Sequence, residues 1–490
     1  MRAMALFQLM LAFLLALLAL VNLKLAILLS VMFFLYIHFF IMPEAGLYLL
    51  ILFVPIGSLM IRAKFIDIYI PYAHQLHTTD NQNIYHLILA GVLTSLFIIG
   101  MSRDASKLAA IEIRFKRWLY FMFGVMAAWA SFTMLWAPLK VHGLIHLAQL
   151  FVNIMLFFIP LMLIRDEKTL KRALVAWIVI GIAFAIGATA DRIYAESISI
   201  IHRQTSSFDY TWKLPITNNL KLSFESKINT FRAAGLSRFD NASNMINMTI
   251  PLLLYFILSP GSEKKQRYRG FLIFFLLLLV FARMLIPNKS GLGSYLLSLT
   301  FLMFVHKPFS IRKVMLGLFL LVGISTILYL IAHYIFPDAT GIMWLSKTMN
   351  LKDKSSAGTR WEWWTEAMRI LVGKTYLMGL GMGGFKYYVS APHAHSFILS
   401  FFFDIGIIGL FCILSLIGII GINFVRPVLR QQTGLEKLGL FVSVSVLAFF
   451  MQGLVDFEYY MPEGWLFAGT AVATVSLIRT ENKREQLAQI

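Results

Sequence analysis

Apolar runs of helix-spanning length recur from one end of this chain to the other, and that recurrence leaves few folds open. About fourteen runs of roughly 15–25 residues are legible: 4–21, 25–41, 45–61, 84–101, 118–137, 143–164, 173–190, 243–259, 271–286, 291–305, 314–335, 395–424, 438–455 and 464–478. In a hydrocarbon core every backbone N–H and C=O must be satisfied within the protein, so only helices and closed barrels cross it. No alternating ten-residue pattern points to a barrel, and the Phe-rich, Gly- and Pro-sprinkled content suits helices. The sequence therefore predicts an all-α, polytopic integral membrane protein in which residues 1–490 form one membrane domain. Composition agrees: 59% of the residues are hydrophobic and only 14% charged, far from soluble usage. The single cysteine, Cys412, lies inside an apolar run, which excludes a disulfide framework and a thiolate metal site. No small-residue cleavage site follows the first run, so it reads as a retained first helix.

A net charge of +19 invites a nucleic-acid reading, but the placement of the charge argues against it. Lys and Arg gather in short loops of one parity: Arg103 to Arg117, Arg165 to Arg172, Lys264 to Arg269, Lys307 to Lys313, Arg426 to Lys437, and the tail from Arg479 to Arg484. With Arg2 these total 23, against five in short segments of the opposite parity. The positive-inside rule then places both termini in the cytoplasm and makes the charge a topology signal. No nucleic-acid partner is expected.

With that orientation two long segments, 191–242 and 336–394, face outward and form a crown. The first contains a strand-like stretch from Leu222 to Ile228. In the second, Trp361, Trp364, Met368 and Leu371 share one face of a predicted amphipathic helix, which would lie flat at the membrane interface. Gly379, Gly381, Gly383 and Gly384 then break that helix before His393 and His395. The cytoplasmic loops are too short and basic for a catalytic domain, so any chemistry belongs to the crown. No P-loop or dinucleotide fingerprint is present, and two histidines two residues apart are a weak metal signal.

What the crown does hold is a set of cationic groups at helix ends: Arg232 and Arg238 flanking Gly235, Lys289 in the break from Pro287 to Gly291, and Arg360 before the amphipathic helix. His395 stands at the mouth of the run that continues through Asp404, Gly406 and Gly409. Cations converging with one titratable imidazole suit a diphosphate ligand and a general base.

Four of these stretches, in order, resemble the O-antigen ligase and O-antigen polymerase superfamily over residues 230–410. Arg360 through Phe385 resembles its Arg, aromatic, Gly-x-Gly-x-x-Phe pattern; His395-Ser396 with Asp404, Gly406 and Gly409 is similar to its His-Asn/Ser helix start. Arg232 to Gly235 with Asp240-Asn241 is similar to its Arg-x-x-Gly segment, and Asn288 to Gly291 stands where the family has a Ser-Arg-Gly break. The resemblance implies a metal- and cofactor-independent glycosyltransferase of the periplasmic face, acting in O-antigen, lipopolysaccharide or exopolysaccharide biosynthesis. Such enzymes move a glycan from undecaprenyl diphosphate to a hydroxyl on an acceptor glycan, a lipid A-core or a protein. Carried over, His395 is the base, Arg232 meets the diphosphate, and Arg238, Lys289 and Arg360 assist. Lys289 replaces a family arginine and cannot fork onto two phosphate oxygens, so Arg283, six residues earlier, stands as the alternative source of a guanidinium.

Rival readings remain open in the sequence. His395 and the tryptophans also suit interfacial anchoring, and Arg232 also suits a lipid headgroup. Asp404 is about 180° around the helix from His395 and reads as a packing or groove residue. Gly406 and Gly409 read as close helix-packing positions. A lipid-linked oligosaccharide flippase is the alternative function, although no repeat is visible.

Overall fold

The structure, a computed structural model, describes residues 37–39, 41–56, 84–101, 111–201, 210–213, 223–226, 239–259, 263–286, 288–305, 323, 327, 330, 356–374, 376–389, 394–431, 433–456 and 461–488. Their elements run α1 (Pro43–Phe53), α2 (Ile84–Met101), α3 (Lys116–Thr133), α4 (Lys140–Leu163), α5 (Glu167–Ile201), β1 (Tyr210–Lys213) and β2 (Ser223–Ser226). There follow α6 (Phe239–Leu258), α7 (Glu263–Leu285), α8 (Lys289–Val305), α9 (Ser356–Lys374), α10 (Phe385–Tyr388), α11 (Phe397–Arg430), α12 (Gly434–Asp456) and α13 (Pro462–Ala488).

Five of these helices are long and apolar enough to cross a membrane: Lys140–Leu163, Glu167–Ala190, Tyr268–Leu285, Phe397–Val425 and Gly434–Asp456. Four shorter apolar segments, Pro43–Phe53, Ile88–Ile99, Ala242–Leu258 and Ser290–Val305, lie among them. The helical, membrane-type architecture is thus present. The predicted run 4–21, and most of 25–41 and 314–335, lie outside the described residues.

Two boundaries differ from expectation. The expected loop 191–242 is helical at both margins, because α5 continues to Ile201 and α6 starts at Phe239. Polar residues such as Asp191, Arg192 and Ser197 are tolerated there because propensity, not hydropathy, decides whether a helix continues past an apolar run. Within that segment β1 and β2 pair antiparallel, with Tyr210 opposite Ser226 and Lys213 opposite Ser223; β2 lies in the stretch where the sequence suggests extended structure, and β1 is an addition to it.

Helix α12 is the hub, contacting α6, α8, α11 and α13, whereas α4 packs along α13 and α3 along α11. Burial follows position: 72% of the apolar window of α12 is inside the protein, against 28% for α7. On α7 the uncovered side chains, Phe271, Phe274 and Leu277, recur at three-residue spacing and form the stripe a lipid would touch. Association of apolar helices in lipid depends on close packing rather than on water exclusion. Gly469 of α13 shows this: a Cβ there would come within 2.1 Å of the Phe157 carbonyl oxygen on α4.

Described residues of, or next to, several basic segments meet at one end of the bundle. There the backbone of Arg114 exchanges two hydrogen bonds with the Asn423 amide (2.9 and 3.1 Å), Glu112 N–H donates to Ser476 Oγ (2.7 Å), and Gln431 Nε2 donates to the Val305 carbonyl (2.7 Å). Arg165 pairs with Glu44 at the turn between α4 and α5. In the same turn Asp166 caps α5, its Oδ1 accepting the Thr169 N–H at 2.7 Å. That backbone hydrogen bond holds the Asp166 carboxyl below its usual range. Because the folded-state value is depressed, the contribution is present above the ordinary carboxylate range and is lost as pH falls through the lowered value. Asp166→Ala is expected to cost about 1 kcal/mol, read as a lower melting temperature in detergent whose deficit disappears in acid.

Candidate functional site

The opposite end of the bundle is built from three elements: two helix breaks, each filled by protein, and the helix α9 between them. The first is the break between α7 and α8. Arg283, 1% exposed, donates from Nη1 to the Ile286 carbonyl (2.9 Å) and from Nη2 to the Asn288 carbonyl (2.7 Å). Both carbonyls lie beyond the end of α7, where the helix no longer supplies donors, so the guanidinium acts as its cap. Asn288 turns its Oδ1 to the Gly291 N–H (2.9 Å) and the Ser290 hydroxyl (2.6 Å), which starts α8.

A layer of amides and hydroxyls lies against this break. Asn247 Nδ2 donates to the Gly291 carbonyl (2.8 Å), Ser294 Oγ (3.0 Å) and Gln452 Oε1 (3.2 Å), and Ser243 Oγ lies 3.4 Å from the same Gln452 oxygen. Helices α6, α8 and α12 are therefore joined by a polar seam at the level of the break. The carboxylate of Asp456 closes it: Oδ2 accepts from Asn288 Nδ2 and Ser290 Oγ, both at 2.7 Å.

The second element is α9, laid across the bundle end. Arg360 donates from Nη2 to Asp456 Oδ1 at 3.1 Å and from Nη1 to the Val455 carbonyl. One turn further along, the Trp363 ring stacks on His395, with centroids 5.9 Å apart and planes 15° apart. Trp364 Nε1 donates to the Ala394 carbonyl (2.7 Å). Helix α9 therefore ties the guanidinium and the imidazole to one rigid element. The expected interfacial face is divided. Leu371 and Ala367 are buried, whereas Trp361 (69% exposed), Met368 and Val372 (69% exposed) form an outward apolar stripe at spacings of seven and four. The predicted face straddled the boundary because positions 361 and 364 lie about 60° apart around the helix.

The third element is a break in α11. Ser396 caps the helix, its Oγ accepting the Leu399 N–H at 3.3 Å, so His395 lies just before the helix in a left-handed conformation, with φ 50°. Nine residues into α11, Gly406 has φ 72° and ψ −164°, and the helix divides there. The glycine turn after α9 enters this gap: Leu380 N–H donates to the Phe403 carbonyl (2.7 Å) and Ile407 N–H to the Tyr376 carbonyl (3.0 Å). Trp129 Nε1 takes the Ile405 carbonyl at 3.0 Å, and Asp404 Oδ1 accepts the Phe385 N–H at 3.1 Å. Gly406 is therefore the break in α11, and the backbone that approaches it closely is that of the turn at Leu377 to Gly379 rather than another helix. Asp404 is a packing residue that fixes the glycine turn, in keeping with its position on the far side of the helix from His395.

Of the sequence-predicted site residues, Arg360 and His395 are linked through α9: Arg360 belongs to it, and His395 stacks on its Trp363. Lys289 is the first residue of α8, between the two residues that hold Asp456. Arg232 and Arg238, with His393, lie outside the described residues. Arg283 is no free guanidinium for a ligand: its two terminal nitrogens are committed to backbone carbonyls. Sequence reasoning passed over Asp456, Gln452, Asn247 and Ser243. Their signal was available as polar residues four apart within apolar runs, which places Ser243 with Asn247 and Gln452 with Asp456 on shared faces. It also passed over His142 and His146 of α4, whose rings meet at 4.3 Å beneath the glycine turn. Among the described residues no cluster of three or more His, Cys, Asp or Glu side chains could hold a metal ion. A scan against protein-family models gives no match to this chain, and a search of curated proteins gives no significant one.

Proposed function

We propose that the chain is a membrane glycosyltransferase of the O-antigen ligase or polymerase type, transferring a glycan from a polyprenyl diphosphate to an acceptor hydroxyl. The observation that supports this reading is that α9 carries the Arg360 guanidinium, paired with the Asp456 carboxylate that the break at Asn288 to Ser290 also holds, and one turn on carries Trp363, on which the His395 imidazole stacks. In such a reaction the acceptor oxygen attacks the anomeric carbon, the carbon–oxygen bond to the diphosphate breaks, and the acceptor proton passes to His395. The leaving diphosphate carries the developing negative charge, and a planar guanidinium with neighbouring N–H and O–H donors is suited to it. Trp363 holds the imidazole plane fixed, which keeps the base in one orientation. The membrane face on which this occurs is the periplasmic one if the basic loops at the opposite end obey the positive-inside rule.

The flippase reading gains little from the geometry. Transporters use broken helices to present open backbone groups to substrate. Here the break in α11 is closed by the glycine turn and Trp129, and the break before α8 is closed by Arg283.

The test is His395→Ala in cells whose own copy is deleted, with membrane abundance checked and surface polysaccharide resolved on a gel. Loss of polymer, or of its attachment, by roughly 100-fold or more is expected for removal of a general base. An unchanged ladder at equal abundance would leave His395 an interfacial anchor and move the flippase reading to first place. Short chains in the variant would indicate a polymerase, and long unattached chains a ligase.

A further inference from the structure

The carboxylate of Asp456 sits in a cradle assembled from three elements. Arg360 of α9 supplies a guanidinium at 3.1 Å, and Asn288 and Ser290, at the start of α8, supply an amide and a hydroxyl at 2.7 Å each. Asn288 is fixed independently of Asp456, by the Gly291 N–H on its Oδ1 and by Arg283 on its own carbonyl, whereas the single Ser290 hydroxyl proton lies within reach of both Asn288 Oδ1 and Asp456 Oδ2 and serves one of them at a time. Only the carboxylate end of the arrangement is easily moved, because Asp456 is the last residue of α12 and leaves without breaking a helical turn.

Charge around the cradle is unbalanced. Two guanidinium charges act on it, Arg360 by a direct bond and Arg283 through its field, and among the described residues Asp456 is the carboxylate that faces them. Arg283, 1% exposed, keeps its Nε–H with no hydrogen-bond partner among the described residues. Its field is felt at Asp456 without a direct bond between them. A surplus of buried positive charge is costly unless an anion joins it. The donors fit a phosphate as well as a carboxylate, since both present oxygens to a guanidinium and to neutral N–H and O–H groups.

We infer that Asp456 is a built-in competitor for a phosphate-bearing ligand: its carboxylate occupies the Arg360–Asn288–Ser290 anion cradle in the empty chain and must leave when a phosphate binds. The contact is autoinhibitory, since it neutralises Arg360 and clamps α9 to α12 until the ligand takes both. The inference rests on the glycosyltransferase reading only for the natural source of the phosphate, and its test involves no glycan transfer.

The full chain in detergent is titrated with inorganic pyrophosphate and, separately, with a polyprenyl diphosphate, as wild type, Asp456→Asn and Arg360→Ala. Removing the competing charge should tighten binding about tenfold or more in Asp456→Asn, and Arg360→Ala should bind neither probe measurably. Tightening for both probes assigns the site to the diphosphate group itself. Tightening for the lipid-borne one alone assigns it to a membrane-delivered ligand, and for pyrophosphate alone to a soluble one. Equal or weaker binding by Asp456→Asn, or wild-type binding by Arg360→Ala, overturns the inference. Should Asp456→Asn fail to fold, hydrogen exchange on the wild type decides. Saturating pyrophosphate should speed exchange in residues 356–374 as α9 loses its tether, and slowed or unaltered exchange there refutes displacement.

Discussion

Gly406→Ala is expected to remove most of the folded protein. At φ 72° and ψ −164° the residue occupies backbone space that is essentially reserved for glycine, which costs about 1–3 kcal/mol for any other residue. The added Cβ would also come within 2.3 Å of the Leu377 carbonyl oxygen and 2.7 Å of the Gly379 N. Both are backbone atoms of the turn that fills the break, so no side-chain rotation relieves the contact. Relief would require the turn to withdraw, which breaks the hydrogen bonds from Leu380 to Phe403 and from Ile407 to Tyr376. A loss of about 3 kcal/mol or more follows, measured as a collapse of the monodisperse peak after mild heating. Gly418→Ala is the control in the same helix. Nothing lies within 4 Å of a Cβ there, and alanine should gain about 0.5–1 kcal/mol in a helix interior. Equal melting of the two variants would mean that the break is not a fixed feature of α11.

Arg283→Ala is expected to be of comparable size for a different reason. Its guanidinium is buried and supplies the donors to the carbonyls of Ile286 and Asn288. Truncation leaves both carbonyls without those donors and opens a void among α6, α8 and α12. Together these cost roughly 3–5 kcal/mol. Arg283→Lys should fall between, since an ammonium on a flexible stem cannot hold both carbonyls in the geometry of a planar fork. The local readout is hydrogen exchange at Gly291, whose N–H is held by Asn288 Oδ1, and it should accelerate well before global unfolding. Wild-type exchange at that position in a stable Arg283→Ala protein would show that the break holds itself. These two variants separate the supports of the site: one holds the glycine turn under α9, the other holds the cradle below Arg360.

The sequence was sufficient for the membrane class because hydropathy is a local property: a run such as Phe397 to Val425 declares itself whatever packs on it. It also singled out Arg360 and His395, polar residues that stand out beside apolar ones, although Arg360, expected before the amphipathic helix, lies in the second turn of α9. The meeting of several basic segments at one end was legible for the same local reason, from loop charge and parity. It could not show which polar groups meet. Arg360 and Asp456 are separated by 96 positions, and nothing in either segment encodes the pairing. Arg283 looked like a ligand-binding guanidinium, yet the tertiary structure turns it onto the carbonyls left open by the end of its own helix. Gly406 looked like a glycine at a helix–helix contact, and only the tertiary structure shows that it breaks its helix and that the close approach is made by the turn that fills the gap. Composition and periodicity determined that there would be helices in a membrane and where polar groups would be conspicuous. Which of those groups face one another was decided by long-range packing, since a buried donor or acceptor takes whatever partner the fold brings within about 3 Å.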